Sequence, residues 1–150
     1  PLVRCAGVAR QLARRFGCAE TADARVQEID FGAWERLRWD AIDRVALDAW
    51  AADLRHARTH GGESVAQFGT RVGEWFETWK RESKVAGAGQ RGSKAPTLAV
   101  THAGVIRMLA SLALAVPLER ALAWPVAMAG IVWLRGDEEG DAWRVIRWNG

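Results

Sequence analysis

The sequence predicts an α/β fold in which helices cover both faces of a sheet. Apolar residues recur with a helical period in four segments, and two strand-like runs flank an acidic turn near the C-terminus. A short apolar run at 98–101 precedes the last long helix. Because strands are separated by helices, both sheet faces are expected to be buried. With 150 residues, 49% of them hydrophobic, the chain suits a single domain over 1–150.

The first half of the chain is predicted to be mainly helical. Apolar spacing predicts a helix over Arg4–Phe16 that Gly17 ends, and a second helix over Trp39–Leu54. Thr21–Gln27 is predicted to be extended, and Glu28–Glu35 to be a structured loop. A turn at 55–62 then leads to Ser64, which can cap a third helix reaching residue 79.

The second half supplies the predicted strands. The Gly- and Lys-rich segment Lys84–Pro96 is expected to be an exposed, mobile loop. Leu98–Thr101 is predicted to be a buried strand, followed by a helix that begins near Gly104 and closes at residue 117. After a helical turn at 118–123, the remaining predicted strands are Ala129–Arg135 and Trp143–Trp148, joined by a hairpin loop at 136–141.

Composition excludes several classes of function. The net charge of +3 is mild and its basic residues are scattered, which suits an anionic small molecule better than nucleic acid. Cys5 and Cys18 are not expected to form a disulfide, so a reduced, cytoplasmic protein is expected. No metal-ligand spacing is present, and no apolar run approaches the roughly 20 residues that span a bilayer.

Nine tryptophans and no tyrosine make the aromatic content unusual. Five of them lie between residues 34 and 79, at positions 34, 39, 50, 75 and 79. Two interpretations stay open: these rings pack a helical core, or some of them wall a binding groove.

The residues that suggest chemistry are His102, Arg4 and Glu28. His102 follows the predicted strand where a helix begins, and helix N-termini and imidazoles both favour anions. Arg4 offers the bidentate fork that suits a phosphate. A carboxyl group beside a phosphate dianion is favoured in its protonated form, which makes Glu28 a candidate general acid.

Each of these residues also has an ordinary structural explanation. Arg4 could be a solvated helix residue, and His102 could simply face solvent. Glu28 could pair with Arg25 or cap a backbone N–H. His56 and His60 lie in a polar turn and are interpreted as surface residues rather than catalysts.

Four motifs in order resemble the histidine phosphatase superfamily, which has the phosphoglycerate mutase-like fold. They are Pro1–Cys5, Glu28–Glu35, Gly61–Ser64 and Val100–Arg107. The resemblance implies a three-layer α/β/α sheet and hydrolysis of a phosphorylated small molecule through a phosphohistidine, without metal or cofactor. Within the family, Trp39–Ile42 and the Trp-rich helices most resemble the α-ribazole phosphatase group, which acts in cobalamin biosynthesis.

By this resemblance, Arg4, His102 and the adjacent Ala103 bind the phosphoryl group, and His102 and Glu28 are the catalytic residues. Glu28 would protonate the leaving alkoxide. The family nucleophile belongs to an arginine-histidine-glycine motif on the first strand, and this chain has no such motif. The resemblance therefore implies a domain without its first strand, which is expected to be inactive alone.

Several alternatives remain beside this interpretation. A broad-specificity phosphatase or a phosphoglycerate mutase-like enzyme would share the same motifs. A non-catalytic phosphate-binding module would keep Arg4 and His102 but would not need Glu28 as an acid. A nucleic-acid binder has only the basic charge and the Lys80–Lys94 segment in its favour, and neither nucleic acid nor membrane is expected as a partner.

Overall fold

Helices dominate the part of the chain that the structure, a computed structural model, describes: residues 2–87, 96–137 and 142–150. The side chains of residues 84–87 are not among those described. In order, the elements are α1 (Val3–Phe16), α2 (Arg44–Ala52), α3 (Val65–Gly87), α4 (Ala103–Leu114), α5 (Leu118–Ala121), β1 (Val132–Gly136) and β2 (Trp143–Trp148).

Two of the predicted helix boundaries are confirmed, with their local causes. Helix α1 ends where Gly17 adopts a left-handed φ of 64°, which lets the N–H of Cys18 bond back to the carbonyl of Ala13. Helix α3 begins with a reciprocal cap: the Ser64 hydroxyl accepts from the Gln67 N–H at 3.2 Å, and the Gln67 side chain accepts from the Ser64 N–H at 2.9 Å.

Helix α3 extends farther than the sequence predicts. It reaches Gly87, so the first four residues of the expected Lys84–Pro96 loop are helical. Residues 88–95 of that loop lie outside the described residues.

The predicted Trp39–Leu54 helix is wrong at both of its ends. A 3-10 turn covers Trp39–Ala41, and α2 starts only after Asp43, whose carboxylate accepts the Ala46 N–H at 2.9 Å. Because the Asp43 carboxylate accepts a backbone N–H of the first turn of α2, the helix begins at this residue. The apolar spacing of residues 39–42 therefore does not extend it towards the N-terminus. Thr21–Gln27 likewise contains a 3-10 turn, where an extended piece was expected.

The predicted strand at Leu98–Thr101 is also wrong, since no strand ladder forms there among the described residues. Leu98 is 61% exposed, although a buried strand was expected. A strand needs a partner for its backbone groups, and apolar sequence alone does not supply one. The segment is fixed instead by the Thr101 hydroxyl, which donates to the Val26 carbonyl at 2.7 Å.

The sheet in the described residues is the hairpin of β1 and β2, as the sequence predicts. The strands are antiparallel, with a register irregularity between Trp133 and Leu134. The observed β1 begins at Val132, three residues later than expected, because Ala129 has a left-handed φ of 55°. The hairpin packs on α4.

The core lies between α3, α4 and the loop that carries Glu28. Its buried members are Ile29, Phe68, Val72, Val105 and Met108. Burial of such side chains contributes roughly 1.5–3 kcal/mol each. Because Ile29 belongs to this core and adjoins Glu28, core packing fixes the backbone that presents the candidate acid.

Candidate active site

The start of α4 and the first turn of α1 meet at His102. His102 lies in extended conformation just before α4, and its Nε2 is 3.3 Å from the Cys5 Sγ of α1. The Cys5 thiol also donates to the Thr101 carbonyl at 3.4 Å. The contact between Cys5 and His102 joins positions 97 residues apart in the chain, and local sequence patterns gave no sign of it. It brings the neighbouring Arg4 to the same region.

The carboxylate of Glu28 lies against the N-terminus of α4. Its Oε2 accepts the Gly104 N–H at 3.1 Å, and its Oε1 accepts the Ile29 N–H at 3.2 Å. A Cβ on residue 104 would overlap Oε1 and stand 3.0 Å from the Glu28 carboxyl carbon. Glycine, which has no Cβ, allows the carboxyl group to approach this closely. A carboxylate at this end of a helix is favoured by the helix dipole.

Of the two ordinary roles considered for Glu28, the structure shows backbone capping and not the pair with Arg25. Arg25 binds Asp23 instead, with its Nη2 2.6 Å from Oδ2. That contact lowers the pKa of Asp23, since the nearby guanidinium favours the carboxylate. The Glu28 carboxyl group instead accepts a hydrogen bond at the N-terminus of α4.

Arg4 is exposed on the first turn of α1 and makes no hydrogen bond or ion pair with any residue that the structure describes. Its charge acts on the pKa values of both Cys5 and His102. A guanidinium so placed can bind an anion without first breaking an internal pair.

Burial lowers the pKa of His102, while Glu28 opposes this shift and Arg4 adds to it. Burial also raises the pKa of the Cys5 thiol, with Arg4 opposing and Glu28 adding to that shift. The histidine is therefore favoured as a neutral ring beside a neutral thiol at pH 7. A neutral imidazole carries one N–H and can donate a single hydrogen bond.

Arg71 of α3, which the sequence analysis did not single out, holds the Glu28 loop in place. It pairs with Glu63 (Nη2 to Oε2, 2.6 Å) and donates to the carbonyls of residues 24, 25, 27 and 28. No local signal identifies this residue, because the backbone carbonyls that it binds lie more than 40 positions earlier in the chain.

The motif Gly61–Ser64 supports the same loop from the other side. Its Glu63 N–H donates to the Asp30 carbonyl at 2.8 Å, and the Ala33 N–H donates to the His60 carbonyl at 2.9 Å. A Cβ on Gly62 would overlap the Asp30 carbonyl, so the two backbones approach as closely as glycine permits.

His60 corrects the expectation that both turn histidines are surface residues. His56 is exposed, but His60 is only 2% exposed and its Nδ1 accepts the Gly62 N–H at 3.0 Å. Its ring lies 5.0 Å from Trp34 and 5.5 Å from Phe31, centroid to centroid. Burial lowers the pKa of His60, with Asp30 opposing and Arg58 adding to the shift.

The other binding classes have little structural support in the described ranges. No helix there is long and apolar enough to cross a membrane. Within residues 2–87, 96–137 and 142–150, no group of three or more His, Cys, Asp and Glu side chains could hold a metal. Lys80, at the start of the segment considered for nucleic acid, is 2.6 Å from Glu77 and lies over the Phe76 ring.

Comparison with known proteins identifies the family to which this site belongs. The model of the histidine phosphatase superfamily, branch 1, matches residues 1–150, so the chain belongs to this superfamily of phosphatase-type enzymes. Its helix-rich structure with a small sheet is consistent with a phosphoglycerate mutase-like α/β fold. No curated protein matches the chain.

Solved structures resemble the chain over nearly its whole length. A mycobacterial glucosyl-3-phosphoglycerate phosphatase bound to inorganic phosphate is 28% identical, with a TM-score of 0.78 over 98% of this chain and 72% of its own. A protein described as mycobacterial hydrolase 1 is 27% identical, with a TM-score of 0.77 and the same two coverages. The α-ribazole phosphatase of Shigella flexneri is 21% identical, with a TM-score of 0.80 over 99% of this chain and 70% of its own, which indicates a shared fold.

Proposed function

We propose that this chain supplies the phosphate-binding and acid groups of a phosphomonoester hydrolase. Arg4 and His102 bind phosphoryl oxygens together with the backbone N–H of Ala103, and Glu28 protonates the leaving alkoxide. The observation that carries the proposal is an imidazole and a carboxyl group at the N-terminus of one helix, with an unpaired guanidinium near enough for its charge to act on the imidazole.

The physical case for phosphate binding rests on fixed positive potential. Helix α4 presents N–H groups at its N-terminus, one of which already donates to a Glu28 carboxyl oxygen, and helix N-termini in general favour anionic oxygens. A phosphoryl group in that region gains hydrogen bonds from Arg4 and His102 as negative charge develops in the transition state. Packing against Cys5 already holds the imidazole in place.

Glu28 fits the role of an acid because two backbone donors orient its carboxyl group beside His102. A general acid must reach the oxygen that leaves, and the same group can then remove a proton from the attacking water. In the superfamily that water cleaves a phosphohistidine. The printed sequence has no arginine-histidine-glycine motif, so the proposal assigns binding and acid roles to this chain and leaves the nucleophile unassigned.

We propose α-ribazole 5′-phosphate, a substrate of cobalamin biosynthesis in a cytoplasmic setting, as the first substrate to test. The resemblance of Trp39–Ile42 and the Trp-rich helices to that enzyme group supports it. A second candidate is glucosyl-3-phosphoglycerate, because the phosphatase named for it is 28% identical to this chain over 98% of its length.

The test is hydrolysis of p-nitrophenyl phosphate by the chain alone and mixed with a separately made segment that carries an arginine-histidine-glycine strand. We expect no turnover from the chain alone and measurable turnover from the mixture. Glu28→Gln in the mixture should lower turnover of an alkyl phosphate by about 10²–10⁴-fold, the usual contribution of a general acid, and should lower turnover of p-nitrophenyl phosphate less, because p-nitrophenolate leaves without a proton. His56→Ala, an exposed histidine, is the matched control and should change nothing.

Turnover by the purified chain alone, reduced by Glu28→Gln, would contradict the expectation that the nucleophile is not part of this chain. A silent mixture that still binds inorganic phosphate would favour the non-catalytic binding module instead.

A further inference from the structure

The loop that carries Glu28 continues directly into a pocket with aromatic walls. The pocket has a volume of about 210 Å³, and Phe31, Trp34, Leu37, Trp39 and Ile42 form most of its lining. For comparison, an apolar cavity of about 150 Å³ holds benzene. The pocket can therefore accept a single ring with small substituents.

Contacts between aromatic rings hold the walls of the pocket in place. Phe31 contacts Trp39 edge-to-face at 5.6 Å and Trp50 at 6.1 Å, and Trp34 contacts Trp50 at 6.0 Å. Aromatic rings in such arrangements bind further rings by stacking and edge contacts. Since each wall ring already packs against another, little ordering is needed when a ligand ring binds.

The pocket also exposes apolar surface and contains a strained residue. Trp39 is 56% exposed and Leu37 is 50% exposed, although both line the same concave site. Arg36, immediately before Leu37, adopts a left-handed φ of 66°. Non-glycine residues in that region cost roughly 1–3 kcal/mol and concentrate at functional sites. Contiguous exposed apolar side chains in a cleft are typical of ligand contacts.

The position of the pocket along the chain relates it to the candidate acid. Phe31 is three residues after Glu28, so their Cα atoms are at most about 11 Å apart. The general acid must contact the oxygen of the leaving group. The pocket therefore begins three residues after the candidate acid along the chain, and this is the basis for relating it to the group bonded to that oxygen.

Two buried N–H donors lie in the same aromatic cluster. The Trp50 Nε1 and the His60 Nε2 have no acceptor among the described residues. His60 Nδ1 is itself an acceptor, so the proton of the neutral ring lies on Nε2. A buried donor without an acceptor is unfavourable, but neither residue lines the pocket and both atoms are fully buried, so a ligand ring in the pocket does not contact them.

We propose that this pocket binds the leaving group of the phosphomonoester and selects a planar aromatic or heteroaromatic ring. The inference rests on the proposed function, because the phosphoryl group has to occupy the Arg4–His102 region for the ring to reach the pocket. Trp39 is the residue assigned to the ring contact.

The experiment compares three phosphonates, none of which is hydrolysed at its phosphorus–carbon bond: methylphosphonate, benzylphosphonate and 2,3-dihydroxypropylphosphonate. Dissociation constants are measured by isothermal titration calorimetry on the full chain. Benzylphosphonate should bind about tenfold more tightly than methylphosphonate, a difference of 1.4 kcal/mol. Trp39→Ala should reduce that preference to near one without changing methylphosphonate affinity, and Trp39→Phe should retain it.

Trp133→Ala is the matched control, since Trp133 is 47% exposed and lies in β1, away from the pocket lining. It should leave all three affinities unchanged. If no phosphonate binds, the proposed function fails and the pocket assignment fails with it. If methylphosphonate and benzylphosphonate bind equally, or the dihydroxypropyl compound binds most tightly, the phosphate site stands and the aromatic assignment is overturned.

Discussion

The contact between Glu28 and Gly104 gives a prediction whose sign depends on a second residue. Replacing a helical glycine with alanine normally stabilises a protein by up to about 1 kcal/mol, because glycine loses more backbone freedom on folding. Gly104 has no left-handed φ, so the backbone accepts alanine. Its Cβ, however, would overlap the Glu28 carboxylate.

The magnitude follows from what the carboxylate loses when it moves aside. The hydrogen bond from the Gly104 N–H, 3.1 Å long, is worth about 1.5–3 kcal/mol when its acceptor is charged, and the partial exposure of Glu28 favours the lower value. Gly104→Ala should therefore destabilise the chain by roughly 0.5–1 kcal/mol. In a Glu28→Ala background the clash is gone, and the same change should stabilise by about 0.5–1 kcal/mol.

Urea unfolding of the four proteins of this cycle measures both effects, and the coupling between the two sites should be about 1–2 kcal/mol. Stabilisation by Gly104→Ala of equal size in both backgrounds would refute the close approach of the carboxylate to α4.

Three further predictions concern the surroundings of the site. Arg71→Lys should lower the free energy of unfolding, measured with urea, by about 2–4 kcal/mol, because lysine cannot bind Glu63 and the backbone carbonyls at the same time. Arg44→Lys, at an exposed ion pair, should lower it by less than about 0.5 kcal/mol. An Arg71→Lys protein as stable as the wild type would contradict this. Ser64→Ala should cost about 1 kcal/mol through the lost cap of α3, and an unchanged urea midpoint would count against it. Because burial lowers the pKa of His60, the unfolded chain binds this proton more readily, so stability should fall as pH drops below about 6.5. In the variant His60→Phe the free energy of unfolding should depend less steeply on pH. An unaltered pH dependence of stability would contradict this prediction.

Features set by neighbouring residues could be predicted from the sequence. The apolar period of Arg4–Phe16 with Gly17 behind it predicted α1, and Ser64 predicted the start of α3. The two strand-like runs on either side of the acidic turn predicted the hairpin. In each case a few adjacent residues determine the backbone conformation, so the pattern was sufficient.

Features set by distant residues could not be predicted in this way. The apolar run at 98–101 resembles a strand, but pairing with another strand decides whether it forms one. The turn containing His60 is polar, yet rings from 31, 34 and 50 surround the imidazole. The motifs did direct attention to Glu28 and His102, whereas the contacts of Cys5 and Arg71 depend on how α1 and α3 pack.

Titration with inorganic phosphate tests the central claim most directly. It measures binding at the Arg4–His102 region without requiring turnover or a nucleophile. Phosphate should bind the wild-type chain, and His102→Ala and Arg4→Ala should each weaken binding by about tenfold or more, as expected for charge-assisted hydrogen bonds. His56→Ala should leave the affinity unchanged. An affinity unaffected by His102→Ala, or lowered equally by His56→Ala, would contradict the proposed phosphate site.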